Sequence, residues 1–149
     1  MTTSELQNTD RREGTREMVR KLLDERQEML SMFCRVAGLE PYNEKDTGAD
    51  VLQEFCALLV DYSAFCHFEI YERIVDGRER RGQVLEIARD VYPRIAEASE
   101  VAVEFNDKYD ASDHTLDLHQ LDRDLGKLGE ELAIRIEMED RIVEALTSR

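Results

Sequence analysis

Apolar residues recur along most of this chain at intervals of three and four, the spacing that places them on one face of an α-helix. Strict alternation of apolar and polar residues, which marks a half-buried strand, does not occur in the sequence. Proline and glycine, which interrupt helices, number only 2 and 7 among 149 residues. The pattern predicts four long helices, near residues 15–37, 49–75, 79–109 and 113–146.

The first two predicted helices end at recognisable stop signals. Gly38 ends the first helix and Pro41 follows it closely, as is usual past a helix C-terminus. Asp76 and Gly77 form the turn that ends the second. The apolar stripe of the first helix is Val19, Leu22, Met29, Leu30, Phe33 and Val36, and that of the second is Val51, Leu52, Phe55, Leu58, Leu59, Tyr62 and Phe65.

The third and fourth helices have the apolar seams of a helical bundle. Pro93 lies inside the third helix, where it removes a hydrogen bond and crowds the preceding turn, so we expect a kink or break there. Ser112 and Asp113 suit the N-cap of the fourth helix, and Gly126 and Gly129 within it predict a close helix approach. The seams are Val84, Ala88, Val91, Ile95, Ala98, Ala102, Phe105 and Tyr109, then Leu118, Leu121, Leu125, Leu128, Leu132, Ile136, Ile142 and Leu146.

Four amphipathic helices with short connections predict an all-α fold, an antiparallel up-and-down four-helix bundle. In this prediction residues 15–149 form a single helical-bundle domain, and residues 1–14 form a flexible N-terminal segment. A chain of 149 residues is long enough to bury one sizeable core.

Composition and charge narrow the class of protein. No apolar run approaches the ~20 residues of a transmembrane helix, and the N-terminus lacks the apolar segment of a signal peptide, so we expect a cytoplasmic protein without membrane contact. A net charge of -14 argues against direct nucleic-acid binding, which needs a basic surface. An acidic protein can instead attract basic surfaces of other proteins. Cys34, Cys56 and Cys66 lie scattered in apolar helical contexts, which indicates buried, reduced thiols.

The sequence has no motif for nucleotide binding or hydrolysis, and we predict no enzymatic activity. Ser63 and His67 share a helix face, but a hydrolase also needs an orienting acid and an oxyanion hole. A hemerythrin-like metal-binding bundle is the alternative, although no histidine completes the Glu-x-x-His motif of ferritin-like sites. A looser metal site of His67 with Asp61, Glu137 or Glu139 stays open, while the prediction itself includes no cofactor and no metal.

Residues 60–75 hold 4 of the chain's 10 Phe and Tyr residues, interleaved with acids and one histidine. On a helix they form two adjacent stripes: Asp61, Phe65, Phe68 and Glu72, then Ala64, His67, Tyr71 and Ile74. Buried carboxylates need partners, and Arg26, Arg35 and Arg135 could supply them from other helices. One interpretation is a core with ion pairs at its rim. The other is an aromatic and acidic docking surface of the kind found at interface hot spots.

The same stretch resembles a known family. Residues 59–75, LVDYSAFCHFEIYERIV, are similar to the characteristic helix of the Rsd/AlgQ family, the regulators of sigma D. The matching positions are Phe55, Cys56, Leu59, Val60, Asp61, Tyr62, His67, Phe68, Tyr71, Glu72 and Arg73. Supporting matches lie at Tyr92-Pro93 on the third helix and at residues 125–130 and 135–140 on the fourth.

The resemblance implies a bacterial, cytoplasmic, helical anti-sigma factor. Family members bind the housekeeping sigma factor (sigma-70) at its domain 4, which reads the −35 promoter element through a helix-turn-helix. They thereby keep sigma from core RNA polymerase, typically in stationary phase. The binding residues that the resemblance implies here are Asp61, Tyr62, His67, Phe68, Tyr71 and Glu72 on the second helix and Leu22 and Arg26 on the first; the acidic and aromatic stripe adds Phe65.

The sequence departs from the family pattern at one place, and it leaves more than one partner open. Family members often have an Arg-Trp pair in the first helix, where this chain has Lys21 and Leu22, and it contains no Trp. That difference could change the affinity or the partner. Some members bind the phosphocarrier HPr, so HPr or another sigma factor is the alternative partner. We expect a monomer or a weak homodimer.

Overall fold

The computed structural model describes residues 2–78, 81–110 and 117–148, and all regular secondary structure within these ranges is helical. The α-helices are α1 (Thr3–Ala37), α2 (Ala49–Phe65), α3 (Gly82–Tyr109) and α4 (Leu121–Thr147). Two π-helical segments, Cys66–Tyr71 and Ile74–Arg78, continue α2, and residues 66–78 are called the extension below. The predicted all-α class with four long helices is confirmed, while the up-and-down arrangement stays a prediction.

The start of α1 lies at Thr3 instead of near residue 15. The side chain of Thr2 accepts a hydrogen bond from the Glu5 amide at 3.2 Å, and the Glu5 carboxylate accepts one from the Thr2 amide at 3.0 Å. This capping box satisfies amides that otherwise lack partners in the first helical turn. Its two residues precede the apolar stripe, so periodicity alone did not find the helix start.

The end of α1 is the predicted one. Gly38 has φ 71°, in the left-handed region, and its amide donates to the carbonyl of Cys34. A Cβ at this position would lie 2.8 Å from the backbone nitrogen of Lys45. Both the backbone conformation and the lack of space therefore require glycine here.

The core lies between the apolar stripes, with α1 packed against α2 and α4, and α3 packed against the same two helices. The ring of Phe55 on α2 meets Phe33 of α1 at 5.9 Å and the edge of Phe105 of α3 at 5.7 Å between centroids. Burial of each such large side chain contributes about 1.5–3 kcal/mol to stability. Cys56 and Cys66 are buried free thiols, as their apolar contexts suggested, whereas Cys34 is only half-buried. Burial raises the pKa of Cys56 to about 11, so it stays protonated at neutral pH.

Pro93 does not interrupt α3, which continues from Gly82 to Tyr109. The predicted break is therefore wrong, and the predicted kink stays a prediction. Val91 and Ile95, on either side of the proline, are 1% and 4% exposed. The apolar seam thus keeps its phase, and packing on both sides of Pro93 holds the helix together.

The start of α4 is at Leu121, and the predicted cap at residues 112–113 lies outside the described part of the chain. Just before α4, the side chain of Asp117 accepts a hydrogen bond from the His119 amide at 3.0 Å, a local bond that favours a turn over a helix. Leu118, assigned to the seam from its spacing, is consequently 39% exposed. Further along α4, a Cβ on Gly129 would lie 3.0 Å from the ring of Phe33, which confirms the predicted close approach at that glycine.

Candidate functional site

The stretch that the sequence singled out begins in α2 and runs into the π-helical turn Cys66–Tyr71. There the amide of Glu72 donates to the carbonyl of His67, five residues back instead of the four of an α-helix. The buried positions of the extension accordingly recur at every fourth residue: Cys66, Ile70 and Ile74. Single π turns inside α-helices occur frequently at functional sites. Periodicity could not reveal this turn, because a run of apolar residues spaced by four fits an α-helix equally well.

Six of the predicted binding residues reach the surface, wholly or in part. Phe68 is 58% exposed, which is unusual for so large an apolar side chain. Val60, two helical turns earlier, is 46% exposed. Ala64, midway between them, is half-buried and joins both into one apolar strip that the prediction did not include. The six residues are Asp61, Phe65, His67, Phe68, Tyr71 and Glu72.

Four ring side chains, His67, Phe68, Tyr71 and Tyr92, form what is called the aromatic cluster below. The Tyr92 hydroxyl lies 2.8 Å from Nδ1 of His67, and the rings of Tyr71 and Tyr92 stack with centroids 3.7 Å apart. The edge of His67 meets Phe68 at 4.8 Å between centroids. Tyr92 comes from α3, and burial, followed by the neighbouring Tyr71, raises its pKa. Sequence reasoning noted Tyr92 only within the resemblance, because nothing local links it to the second helix.

The carboxylates beside the cluster do not pair with the arginines that the sequence suggested. Arg26 pairs with Glu139 and Asp140, Arg35 with Asp46, and Arg135 with Glu139. Glu72 lies 3.4 Å from Nε2 of His67, and within the described ranges Asp61 has no ion-pair partner. The expected ion pairs at the rim of the core are therefore wrong for these two acids. Both carboxylates can accept hydrogen bonds from a partner.

The α1 side of this surface contributes a third acid besides Asp61 and Glu72, and the prediction omitted it. One oxygen of Glu25, Oε2, is buried without a hydrogen-bond partner among the described residues. Burial raises the pKa of Glu25, the charge of nearby Lys21 opposes that rise, and the negative charge of Asp61 adds to it. The ammonium of Lys21 also lies 4.8 Å from the ring centroid of Phe65, a cation–π contact. These contacts make α1 one flank of the surface.

Three of the predicted binding residues lie beneath the surface instead of on it. Leu22, Tyr62 and Arg26 are 1%, 0% and 8% exposed. The Tyr62 hydroxyl donates to Glu139, and the guanidinium of Arg26 donates to Glu139 at 3.3 Å and to Asp140 at 2.8 Å. Burial and the Glu139 charge raise the pKa of Tyr62, so the hydroxyl keeps its proton. Direct contact with a partner therefore stays a prediction for the six surface residues, and these three side chains support them from below.

Arg135 of α4 stands at the centre of these buried polar groups. Its Nε donates to Glu139 at 3.0 Å, and its Nη1 donates to the hydroxyls of Ser63 at 3.2 Å and Ser99 at 2.9 Å. Burial alone would lower the pKa of Arg135, but the Glu139 carboxylate raises it, so the guanidinium is charged. The buried network consists of Arg26, Tyr62, Ser63, Ser99, Arg135 and Glu139, and it joins all four helices.

Within residues 2–78, 81–110 and 117–148, no three His, Cys, Asp or Glu side chains are grouped so that they could hold a metal ion. Of the looser set considered above, Glu139 is occupied by Arg26, Tyr62 and Arg135, and His67 by Tyr92 and Glu72. No helix in the same ranges combines the length and the apolar character of a membrane span.

Comparison with known proteins places the chain in a family. The sequence profile described as "Regulator of RNA polymerase sigma(70) subunit, Rsd/AlgQ" matches residues 1–147. A protein named "Regulator of sigma D" from Yersinia pseudotuberculosis serotype O:1b (strain IP 31758) is 30% identical over 142 residues, covering 91% of this chain and 83% of that protein. One of the same name from Salmonella newport (strain SL254) is 31% identical over 147 residues, covering 94% and 88%. No solved structure matches the chain. The chain therefore belongs to the Rsd/AlgQ family of regulators of the RNA polymerase sigma(70) subunit.

Proposed function

We propose that this protein is a non-enzymatic anti-sigma factor. It binds the housekeeping sigma factor, mainly at domain 4, and keeps it from core RNA polymerase and from the −35 promoter element. The observation that supports this best is the exposed ring of Phe68, which stands with the rest of the aromatic cluster beside two carboxylates. Asp61 has no ion-pair partner within the described ranges, and Glu72 lies 3.4 Å from His67. The names of the family and of its curated members point to the same client.

The chemistry of the surface fits a DNA-reading client. A domain that binds the DNA backbone presents lysines and arginines, because most of its affinity comes from phosphate contacts. A protein with a net charge of -14 attracts such a face, and carboxylates near the contact can pair with its cations. The aromatic cluster supplies the apolar contact that charge alone does not give. Binding then occludes the surface with which sigma reads DNA.

Calorimetric titration with the isolated domain 4 of the cognate housekeeping sigma factor tests the proposal. We expect saturable one-to-one binding that weakens as salt is added, since charge pairs at a solvent-exposed rim are screened. Phe68→Ala should weaken binding at least about tenfold, the order of loss for a hot-spot aromatic residue. Val103→Ala is the matched control, because Val103 lies on α3 and is also 58% exposed. Absence of saturable wild-type binding at tens of micromolar, or equal losses in the two variants, would contradict the proposal.

A charge-matched pair tests the acidic part of the surface. Asp61→Asn and Glu104→Gln each remove one negative charge from an exposed position, on α2 and on α3 respectively. Only Asp61→Asn should weaken binding and reduce its dependence on salt. Both variants, like Phe68→Ala, should unfold at nearly the wild-type temperature, since these side chains contribute little to the core. A large loss of stability in Phe68→Ala would instead assign its ring to the core.

The same titration distinguishes the clients. HPr, used as the second titrant, should bind more weakly than domain 4; tighter binding of HPr would assign the surface to that partner. We place the action of the protein in the cytoplasm, where sigma and core RNA polymerase are found. Sedimentation at the concentrations of the titration tests whether the active species is a monomer, as proposed, or a weak homodimer.

A further inference from the structure

We infer that Arg135, although buried, is a positioning residue for the binding surface: its guanidinium holds the junction where α2 becomes π-helical, and so fixes the aromatic cluster. This inference rests on the proposed function for its effect on binding, but not for its effect on the local structure. Arg135 lies on α4 and is 1% exposed, so no partner can contact it directly. Any influence on binding must therefore pass through the groups that it holds.

The junction is held at a single residue of α2. The amide of Cys66, the residue at which the π-helical segment starts, donates to the carbonyls of Tyr62 and Ser63, and the Ser63 carbonyl also accepts Nη2 of Arg135 at 3.4 Å. The hydroxyl of Ser63 accepts Nη1 of the same guanidinium at 3.2 Å. The rigid guanidinium of Arg135 on α4 therefore holds both oxygens of Ser63, which lies three residues before the π-helical segment begins.

The second element of the aromatic cluster is held in the same way. Nη1 of Arg135 also donates to the hydroxyl of Ser99 on α3 at 2.9 Å, and that hydroxyl donates to the carbonyl of Ile95 at 3.0 Å. Ser99 lies two helical turns after Tyr92, the α3 member of the cluster. The guanidinium thus spans from α2 to α3 and sets the separation of the two elements whose rings meet at the surface.

Arg135 and three rings of the aromatic cluster line the same hollow. Its lining includes Arg135, Ser99 and Cys66 together with His67, Tyr71 and Tyr92. No charged side chain other than Arg135 lines this hollow within the described ranges. A shift of the guanidinium would therefore change the wall of the hollow that these three rings also line.

The geometry requires arginine and not merely a positive charge. Glu139 accepts Nε at 3.0 Å, which orients the planar fork so that Nη1 reaches the hydroxyls of Ser63 on α2 and Ser99 on α3 while Nη2 reaches the carbonyl of Ser63. A lysine at this position has one side-chain nitrogen in place of three, so its ammonium can pair with Glu139 but cannot also reach both oxygens of Ser63 and the hydroxyl of Ser99. Arg135→Lys therefore keeps the buried charge and removes the fork.

The matched control is Arg94→Lys. Arg94 of α3 also makes a two-pronged contact with a carboxylate of α4, Glu131, at 2.8 and 3.2 Å. The contacts of Arg94 involve no residue of α2 or of the extension. The control thus loses a similar fork between α3 and α4 while the junction stays held.

Hydrogen exchange of the free protein tests the local part of the inference. In Arg135→Lys the amides of residues 67–72 should exchange at least about tenfold faster, because their local opening becomes easier. Amides in the middle of α1 should change less, and Arg94→Lys should leave residues 67–72 at the wild-type rate. Unchanged exchange at residues 67–72 in Arg135→Lys overturns the inference. Should Arg135→Lys fail to fold, Ser99→Ala, which removes one of the hydrogen bonds, must give a smaller acceleration in the same amides.

A double-mutant cycle tests the effect on binding. Arg135→Lys should weaken binding of domain 4 about tenfold in the wild-type background. In the Phe68→Ala background the same change should weaken binding less than about twofold, because Arg135 acts through the ring that Phe68→Ala removes. An equal loss in both backgrounds would show a merely structural role and overturn the positioning of the cluster. If wild-type protein does not bind domain 4, the proposed function fails, and the exchange measurement still decides whether Arg135 holds the junction.

Discussion

Arg135 and Glu139 form an ion pair at 3.0 Å, one turn apart on α4, and the side chain of each is only 1% exposed. Glu139 also accepts hydrogen bonds from Arg26 of α1 and Tyr62 of α2. A buried charge is costly unless it is both paired and hydrogen-bonded. One carboxylate thus satisfies donors from three helices, and these helices lose a common anchor if it is removed.

Glu139→Gln should lower the free energy of unfolding by about 3–5 kcal/mol, the usual loss when one partner of a buried ion pair is removed. The amide leaves the charge of Arg135 uncompensated and offers fewer acceptor sites to three donors. Urea denaturation measures the change. Asp140→Asn is the control, because Asp140 pairs with Arg26 at 2.8 Å but its side chain is 56% exposed. Asp140→Asn should lower the free energy of unfolding by less than about 1 kcal/mol. Equal decreases in the two variants would show that burial does not decide the cost of breaking an ion pair.

Two glycines of α4 should respond differently to alanine. Within the described ranges, an added Cβ on Gly126 would meet no atom within 4 Å beyond its own helical turn, so the close approach predicted at Gly126 is wrong. Gly126→Ala should therefore raise the free energy of unfolding by up to ~1 kcal/mol through helix propensity. At Gly129 the added Cβ would lie 3.0 Å from the ring of Phe33, which must move. Gly129→Ala should therefore stabilise less than Gly126→Ala or destabilise the protein. Thermal unfolding of the two variants side by side checks this, and equal gains would contradict the close approach of α1.

Acid should remove one identifiable contribution to stability, that of Glu131. Hydrogen bonding to Arg94 lowers the pKa of this carboxyl below its ordinary value of 4.5. A depressed pKa in the folded state adds stability that is present above the ordinary pKa and is lost as pH falls through the lowered one. The difference in unfolding free energy between wild type and Glu131→Gln should therefore be largest near pH 7 and vanish near about pH 2. Glu130→Gln changes an exposed neighbour and is the control for the loss of one charge. A difference between wild type and Glu131→Gln that grows as the pH falls would contradict the lowered pKa of Glu131.

The helices were predictable because their information is local. Apolar spacing places the stripes, and Gly38 ends α1 through a backbone conformation that other residues avoid. The capping box at Thr2 and Glu5 is equally local, yet it was missed because it lies outside the amphipathic region. The turn at Asp117 was missed for a related reason: Leu118 continues a regular spacing although its backbone does not continue the helix.

The polar pairing within the fold was not predictable, because it joins residues that are far apart in sequence. Arg135 meets Ser63 across 72 positions, and Arg26 meets Glu139 across 113. Sequence reasoning found the arginines and the acids, but it assigned the arginines to Asp61 and Glu72, the acids nearest the aromatic residues. Likewise Tyr62 belongs to the apolar stripe of the second helix and to the binding residues that the resemblance implies, and only the structure shows that its hydroxyl donates to Glu139 in the interior.

The π-helical turn makes the length of the extension more constrained than its composition. Each residue of a helix turns the chain by roughly 100°, so deleting one residue between Cys66 and Tyr71 would rotate everything after it by about that angle. Val75 would then take the core position of Ile74, which is now 1% exposed, whereas an insertion of one residue would bring the charged Arg73 there. Replacement of an outward side chain such as Phe68 does not rotate the residues that follow it. Members of a lineage can therefore exchange the residues that a partner contacts, while a gain or loss of one residue in this segment would disrupt the fold.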